Sequence, residues 1–505
     1  MMKRENRKPV VAIVVVLMAW TSIYSQGEAF DGYTLYNPNG SQNTYLINLE
    51  GEAVHTWQNP EAGGYSVYLL EDGSILRPIN LGNPYFSAGG ASGGVERVSW
   101  EGEILWHYEY SNSTYCLHHD LEPLPNGNVL MIAWEKKNSS EAATAGRTIT
   151  GDIMPDHIIE VMPQGDSAGE IVWEWHIWDH LIQDRNSAAE NYGVVAEHPE
   201  LLDINAGLID RTGDWTHINA VSYNPELDQI VFSSHFLDEF YVIDHSTTTE
   251  EAAGHTGGTY GKGGDFLYRW GNPGNYKIAG TQFFHVVHCA SWIPEGIPGA
   301  GNIMAYNNGT DRMRSEILEI SPPLDTDGNY PLDPGVAYGP AEPGWTYTDS
   351  GFFSNHLGGL QRLPNGNTLV VESTDSGKIW EVTQGGEVVW QYNPATQVAR
   401  ALRYAPDYPG LAVLDVKKQR HSASGPETTF RISGQGTFYY LGNFKPEKAE
   451  LLGIRGRLIK ELLPEEENIL WDGRLHDRSR AAPGVYLLRL LGEKSDILTR
   501  PVYLK

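Results

Sequence analysis

The chain has 505 residues, more than one ordinary domain holds, and a formal charge of −28 at pH 7. A field of that sign repels polyanions and anionic lipid, so nucleic acid and acidic membrane surfaces are excluded as partners. Two cysteines, Cys116 and Cys289, are too few for a disulfide framework, and they stand either as one bridge or as two buried thiols.

The amino terminus has the order of a secretory leader. Lys3, Arg4, Arg7 and Lys8 precede an apolar run of eleven residues, Val10–Trp20, too short to span a bilayer as a helix. Small and polar residues (Thr21, Ser22, Ser25, Gln26) follow, so residues 1–26 read as a signal peptide and the protein as exported: periplasmic, cell-surface or secreted. No later segment is long and apolar enough to suggest a membrane span.

From about residue 30 to 395 strand signals dominate. Short runs rich in Val, Ile, Tyr and Trp, such as Tyr45–Leu49, Val129–Ala133 and Thr368–Val371, are broken by Asn-Gly, Asp-Gly and Gly-Glu turns. One phrase returns: a turn, an apolar strand, then an aromatic residue. Clear copies begin at Gly51, Gly102, Gly169 and Gly386, and weaker ones span Asp265–Trp270 and Pro343–Tyr347, six in all. Such a phrase suits the outer strand of a four-stranded blade, and six copies predict a six-bladed β-propeller over 27–395. Residues 396–432 lose the pattern and read as a linker.

A small β domain is expected over 433–505, with strands around Ala449–Leu462, Ile469–Gly473 and Pro483–Arg489. It resembles the carboxy-terminal sorting domains of the Bacteroidetes-type secretion system, which share a fold with flagellar hook-cap domains. The resemblance implies an immunoglobulin-like β-sandwich and the secretion machinery as a partner. The fold class expected for the whole chain is all-β.

Four histidine segments recur: His118-His119 before Leu121, His217 before Val221, His288 before Ala290 and His356 before Leu360. Registered on those apolar residues, His217 and His356 stand at minus four, and His119, His288 and Asn219 at minus two. On an extended strand both offsets share a face, because side chains alternate with period two. If these strands are innermost, the side chains converge on one axis. The other histidines, His180, His235 and His255 among them, read as structural. Converging imidazoles suit either a metal site or a nucleophile with cationic support. Arg312 and Arg314 follow the His288 strand after one turn and can each grip a sulfate or phosphate oxygen pair. A permanent cation there disfavours a metal and favours an anion. Tyr115, Trp215, Tyr306 and Phe352 are candidate walls for an aromatic substrate.

Gly32-Tyr-Thr-Leu-Tyr-Asn-Pro38, the His118–Asn128 phrase, Asp156–Glu160, Glu174–Leu181, Asp244–Glu250 and Tyr268–Pro273 together resemble bacterial arylsulfate sulfotransferases over roughly 30–395. The resemblance implies a six-bladed propeller that moves a sulfuryl group from a phenolic sulfate donor to a phenol acceptor. It implies no cofactor and no nucleotide sulfate, with the group resting on a histidine between half-reactions. Carried over by motif, His356 is the nucleophile, His217 and His288 support it, and Arg312 is the cation; His119 and Asn219, by their register in the repeats, are expected to bind substrate. The family's usual His-Asp-Ala is His288-Cys289-Ala290 here. Two other classes remain at this point: a metal- or quinone-dependent propeller oxidoreductase, suggested by the Gly-Glu-x-x-Trp phrase, and a non-catalytic surface module.

Overall fold

The structure is a computed structural model, and it describes residues 27–207, 213–414 and, beyond these, strands between 429 and 504. The leader expected at 1–26 lies outside the described residues. Among those described, 33–404 form six four-stranded antiparallel sheets, so the all-β class is observed. The first holds β1 (Tyr33–Pro38), β2 (Asn43–Ile47) and β3 (Ala53–Gln58). The second holds β4 (Tyr68–Leu69), β5 (Ile75–Asn80), β6 (Gly93–Val98) and β7 (Ile104–Glu109). The third holds β8 (Tyr115–Pro123), β9 (Val129–Glu135), β10 (Asp156–Gln164) and β11 (Ala168–His176).

A short parallel pair, β12 (Leu181–Ile182) and β13 (Leu202–Asp203), separates these from the fourth sheet. That sheet holds β14 (Ile218–Asn224), β15 (Gln229–Ser234), β16 (Glu239–Asp244) and β17 (Tyr268–Trp270). The fifth holds β18 (Val287–Trp292), β19 (Ile303–Asn307), β20 (Glu316–Ile320) and β21 (Trp345–Tyr347). The sixth holds β22 (Gly359–Arg362), β23 (Thr368–Glu372), β24 (Lys378–Val382) and β25 (Val388–Tyr392).

The next strand, β26 (Val398–Tyr404), returns to the start of the chain and pairs antiparallel with β1, Leu402 opposite Leu35. It completes the first sheet, in the order β26-β1-β2-β3. This corrects the expected linker: residues 398–404 belong to the sheets. Their alternating burial (Ala399, Ala401 and Arg403 inside) was diluted by the flanking charge and proline.

Each sheet buries both faces. Along β15, Ile230 and Phe232 join a core with Leu130 and Ile158 of the third sheet, while Val231 points the other way, to Ile303 and Leu318 of the fifth. The same alternation on β23 sends Val370 toward Met304 and Ile317, and Leu369 and Val371 toward Tyr36 and Ile47 of the first sheet. Each fully buried aliphatic side chain contributes ~1.5–3 kcal/mol, so these inter-sheet layers are the main source of cohesion.

The repeated phrase has a visible task. Each of its six copies contributes the last strand at one edge of a sheet: β3, β7, β11, β17, β21 and β25. From each, a tryptophan Nε1–H donates to a backbone carbonyl of the next sheet. Trp57 reaches Ser99 O (3.0 Å), Trp106 Ala168 O (2.8 Å) and Trp175 Gly264 O (2.7 Å). Trp270 reaches Pro340 O (2.9 Å), Trp345 Gln384 O (2.9 Å) and Trp390 Leu49 O (2.7 Å). The last tie runs from the sixth sheet to the first, so the series closes on itself.

Beyond these, β27–β34 form two more four-stranded sheets, in the orders β27-β28-β32-β31 and β30-β29-β33-β34. These strands are β27 (Thr429–Ile432), β28 (Thr437–Leu441), β29 (Pro446–Gly453), β30 (Leu458–Leu462), β31 (Pro464–Glu465), β32 (Asn468–Leu470), β33 (Gly484–Gly492) and β34 (Ile497–Leu504). Among the described residues, no helix is long and apolar enough to cross a membrane.

Candidate active site

The first strands of all six sheets, or the residues leading into them, meet at one hollow. Its lining includes Tyr65 and Ser66 before β4, His119 and Asp120 of β8, Asn219 of β14 and His288 and Cys289 of β18. Leu357 and Gly358 before β22 and Ala399 and Arg400 of β26 complete it. It encloses about 260 Å³, counting its open mouth.

Residues entering the hollow leave the extended conformation. His119 (φ 54°), His217 (φ 46°), Cys289 (φ 53°) and Leu357 (φ 59°) are all left-handed. Pairing slips beside three of them, between Leu117 and Leu121, Ile218 and Ala220, and His288 and Ser291. Non-glycine residues held there cost ~1–3 kcal/mol each and cluster where function requires them. The bulges break the period-two alternation on which the expected shared face rested. Imidazoles converge all the same, but which ones do so is set by the bulges.

Five rings touch in sequence. Centroids are 5.1 Å apart for His118–His119, 4.6 Å for His119–His217, 5.0 Å for His217–His235 and 5.4 Å for His235–His288. The expected His119, His217 and His288 are therefore brought together. His118 and His235 were not singled out; their signal was position alone, one residue from His119 and one past the end of β15.

Hydrogen bonds fix the tautomers. Asp156 accepts at Oδ2 from Thr216 Oγ1 and from Ile218 N (2.8 Å), and at Oδ1 from His118 Nε2 (2.6 Å). Burial pushes the Asp156 carboxyl up to about 7, while these donors favour its ionised form. With Nε2–H spent on Asp156, His118 Nδ1 is an acceptor. It receives His119 Nδ1–H at 2.8 Å, and the lone pair of His119 therefore lies on Nε2. A carboxylate and two imidazoles form a relay ending at that nitrogen, which has no hydrogen-bond partner among the described residues. Gly90 makes room for it: a Cβ there would stand 2.0 Å from His119 Cε1. His217 donates Nδ1–H to Asp214.

His288 is different. Its Nδ1–H donates to Asn308 Oδ1 (2.7 Å) and its Nε2 accepts from Leu357 N (3.2 Å). Burial pushes it down to about 3. Burial also lowers His118, His119 and His235 well below the ordinary range, and the neighbouring rings reinforce the effect. His118, His119, His235 and His288 are therefore neutral at pH 7, not protonated groups that would stabilise charge directly.

His356 is exposed and is not among the residues lining the hollow, though it directly precedes Leu357, which is; its Nδ1 is 2.5 Å from Asn355 Oδ1. The left-handed Leu357 turns inward in its place. His356 is still near enough for its charge to act on His235 and His288. Arg312 is not among the residues lining the hollow; its guanidinium is bound to Glu316 (2.5 Å) and Asp311 (3.3 Å). Arg314 stands beside Glu316 at 3.7 Å.

The cation in the hollow is Arg400, which donates to Asp120 Oδ2 (2.6 Å) and Tyr68 Oη (3.0 Å). Burial opposes its charge, but Asp120 holds it well above the ordinary value. Nothing local marks Arg400 in the sequence, because β26 meets its partner strand at the far end of the chain. Asn219 is spent on structure, donating to Val287 O (2.7 Å) and accepting from Ser233 Oγ (2.7 Å). Trp215, Tyr306 and Phe352 are buried core, and Tyr115 stacks on Tyr110 at 4.0 Å. The aromatic residue at the hollow is Tyr65, 5.5 Å from His119 between ring centroids. Cys116 and Cys289 are buried free thiols.

The arylsulfotransferase (ASST) family model matches residues 39–377, about two thirds of the chain. The chain belongs to the arylsulfotransferase family. The match runs from the first sheet into the sixth and takes in every histidine of the cluster. It stops short of Arg400. No curated protein matches the chain.

Solved structures resemble it remotely. A protein of unknown function from Bacteroides caccae aligns with TM-score 0.41 at 12% identity, over 74% of this chain and 98% of its own. A putative 6-phosphogluconolactonase from Bacteroides fragilis aligns with TM-score 0.35 at 11% identity, over 74% and 98%. Apo AztD from Citrobacter koseri aligns with TM-score 0.32 at 10% identity, over 88% and 97%. These likenesses are too distant to bear on activity.

Proposed function

We propose that the protein is an aryl-sulfate sulfotransferase working by two half-reactions on a histidine. One observation carries the reading: a chain of this family gathers five imidazoles, with the tautomers of His118, His119 and His288 fixed by hydrogen bonds, and a guanidinium around one hollow. A neutral imidazole nitrogen attacks the sulfur of a phenolic sulfate. An N–S bond forms, the S–O bond to the ring breaks with its electron pair, and the phenolate leaves and takes a proton from water. An acceptor phenol then gives up its proton and attacks the same sulfur, restoring the imidazole.

His356 is the first nucleophile to consider. It is exposed to incoming donor, and Asn355 Oδ1 favours the proton on Nδ1, leaving the lone pair on Nε2. His119 Nε2, at the end of the Asp156–His118 relay, favours a second assignment. Arg400 supplies the cation that faces the sulfuryl oxygens, whose charge grows in a loose transition state. Tyr65 offers the donor's ring a face to pack on. In this reading the six sheets are the blades of a six-bladed propeller, closed by β26 on β1 and by the tryptophan ties. The carboxy-terminal sheets form an immunoglobulin-like sorting domain, the chain is exported, and the secretion machinery is its partner.

Incubation with nitrophenyl sulfate tests the activity. Nitrophenol is expected to appear in step with sulfation of an added phenol and to stop when the phenol is consumed. Release of free sulfate without acceptor would instead mark a sulfatase. Absence of turnover together with metal-dependent redox activity would favour the oxidoreductase.

A further inference from the structure

A second polar cluster lies away from the hollow and shares no residue with its lining. His180 follows β11, and His255 and Asp265 lie in the connection between β16 and β17. One ligand atom from each falls within 4.8 Å of the others. By sequence pattern alone both histidines read as structural.

The proton inventory of His180 is constrained. Its Nε2 lies 2.9 Å from Ala252 O, and a carbonyl can only accept, so Nε2 carries the hydrogen. In the neutral ring Nδ1 is then a bare lone pair. Yet Nδ1 faces Asp265 Oδ1 at 2.8 Å, two acceptors in contact. His255 Nδ1 faces the same oxygen at 2.7 Å. A positive centre belongs between these atoms, either a proton or a metal cation.

Four features favour the metal. The donor set, two imidazoles and a carboxylate with one side open, is that of three-ligand zinc sites completed by water. His180 donates its second N–H to a backbone carbonyl, as ligating histidines do. Its ring is held rigidly: Trp175 lies parallel at 5.6 Å, and Gly264 approaches so closely that a Cβ would stand 2.6 Å from Nε2. His255 has an exposed side chain (60%) and can swing outward. Metal–ligand bonds of about 2.0–2.2 Å in a tetrahedral set put the ligand atoms about 3.3–3.6 Å apart, so both contacts to Asp265 would widen by about 0.6 Å on binding.

We propose that His180, His255 and Asp265 bind a divalent cation of the zinc class, which clips the connection leaving the third sheet to the β16–β17 connection within the fourth. Residues 180 and 265 are 85 apart in sequence, and a ligand bound to the folded state alone stabilises it by mass action.

The test uses the full-length, tag-free protein, stripped with a chelator and titrated with Co²⁺. One equivalent of cobalt is expected to give a visible d–d band that Zn²⁺ abolishes, and zinc is expected to raise the melting midpoint. His255→Ala removes a ligand that is largely in solvent, so the fold is retained. Loss of a supporting partner already weakens metal sites about 10–100-fold, and losing a ligand is expected to weaken cobalt binding at least that much. The midpoint shift should vanish with it. A wild-type protein with no cobalt band would overturn the proposal and leave a proton between His180 and Asp265. A band that survives in His255→Ala would also overturn it, because the metal would then sit elsewhere.

Discussion

His119 and His288 occupy the same register on corresponding strands, β8 and β18, yet the structure gives them opposite lives. His288 has both ring nitrogens committed, to Asn308 and to Leu357. His119 has one, to His118, with a carboxylate behind it. Position in a repeat brings a side chain to the hollow; its partners decide whether a lone pair is available there. By this contrast His119 keeps a lone pair to offer the proposed chemistry, and His288 holds the β22 entry in place.

Breaking the relay is expected to do most. Asp156→Asn replaces an acceptor of three hydrogen bonds and lets His118 adopt the other tautomer, so His119 loses its fixed lone pair. The transfer rate should fall by ~10²–10⁴, measured with nitrophenyl sulfate and an acceptor phenol. An unchanged rate would show that the relay is only structural. Next comes Gly90→Ala, at φ 94° and with no room beside His119 Cε1. Displacing that ring by about an ångström should cost up to ~10² in rate, while His288 stays where it is.

The opposite signature is expected for His288→Ala. It leaves Asn308 Oδ1 and Leu357 N–H without their partner, at about 1–3 kcal/mol each, read by urea unfolding. The pH–rate profile should keep its wild-type shape, because His288 does not titrate near neutrality.

The smallest effect is a pH dependence of stability. His288, held down at about 3, binds its proton in the unfolded chain first. Unfolded protein therefore takes up protons as pH falls below about 6.5, and stability declines from there toward 3. His245 runs the other way. Burial opposes its charge, but Asp228 and Glu160 hold it up to about 9, so its contribution is present below about 6.5 and lost as pH rises through 9. A maximum at about pH 6.5, falling away toward 3 and toward 9, is expected in urea midpoints; a flat profile between about 6.5 and 9 would contradict these assignments.

The sequence carried the architecture further than the site. The repeated turn–strand–aromatic phrase marked the last strand of all six sheets, because its tryptophan must reach the neighbouring sheet from a fixed place. Four histidine segments marked four entries to the hollow. The chemistry was less legible. Left-handed turns at His119, His217, Cys289 and Leu357 overrode the alternation from which side-chain direction was read. They left His356 exposed and turned Leu357 inward. Arg400 was hidden because its strand pairs with the opposite end of the chain, and the arginine chosen by motif, Arg312, is bound to Glu316 and Asp311.

The most direct test of the central claim is intact-protein and peptide mass spectrometry after exposure to an aryl sulfate with no acceptor. One acid-labile sulfuryl group per chain is expected, on the peptide carrying His356 or the one carrying His119, discharged by added phenol. A chain that turns over donor yet never carries the group, or carries it on a residue other than these two histidines, would contradict the account.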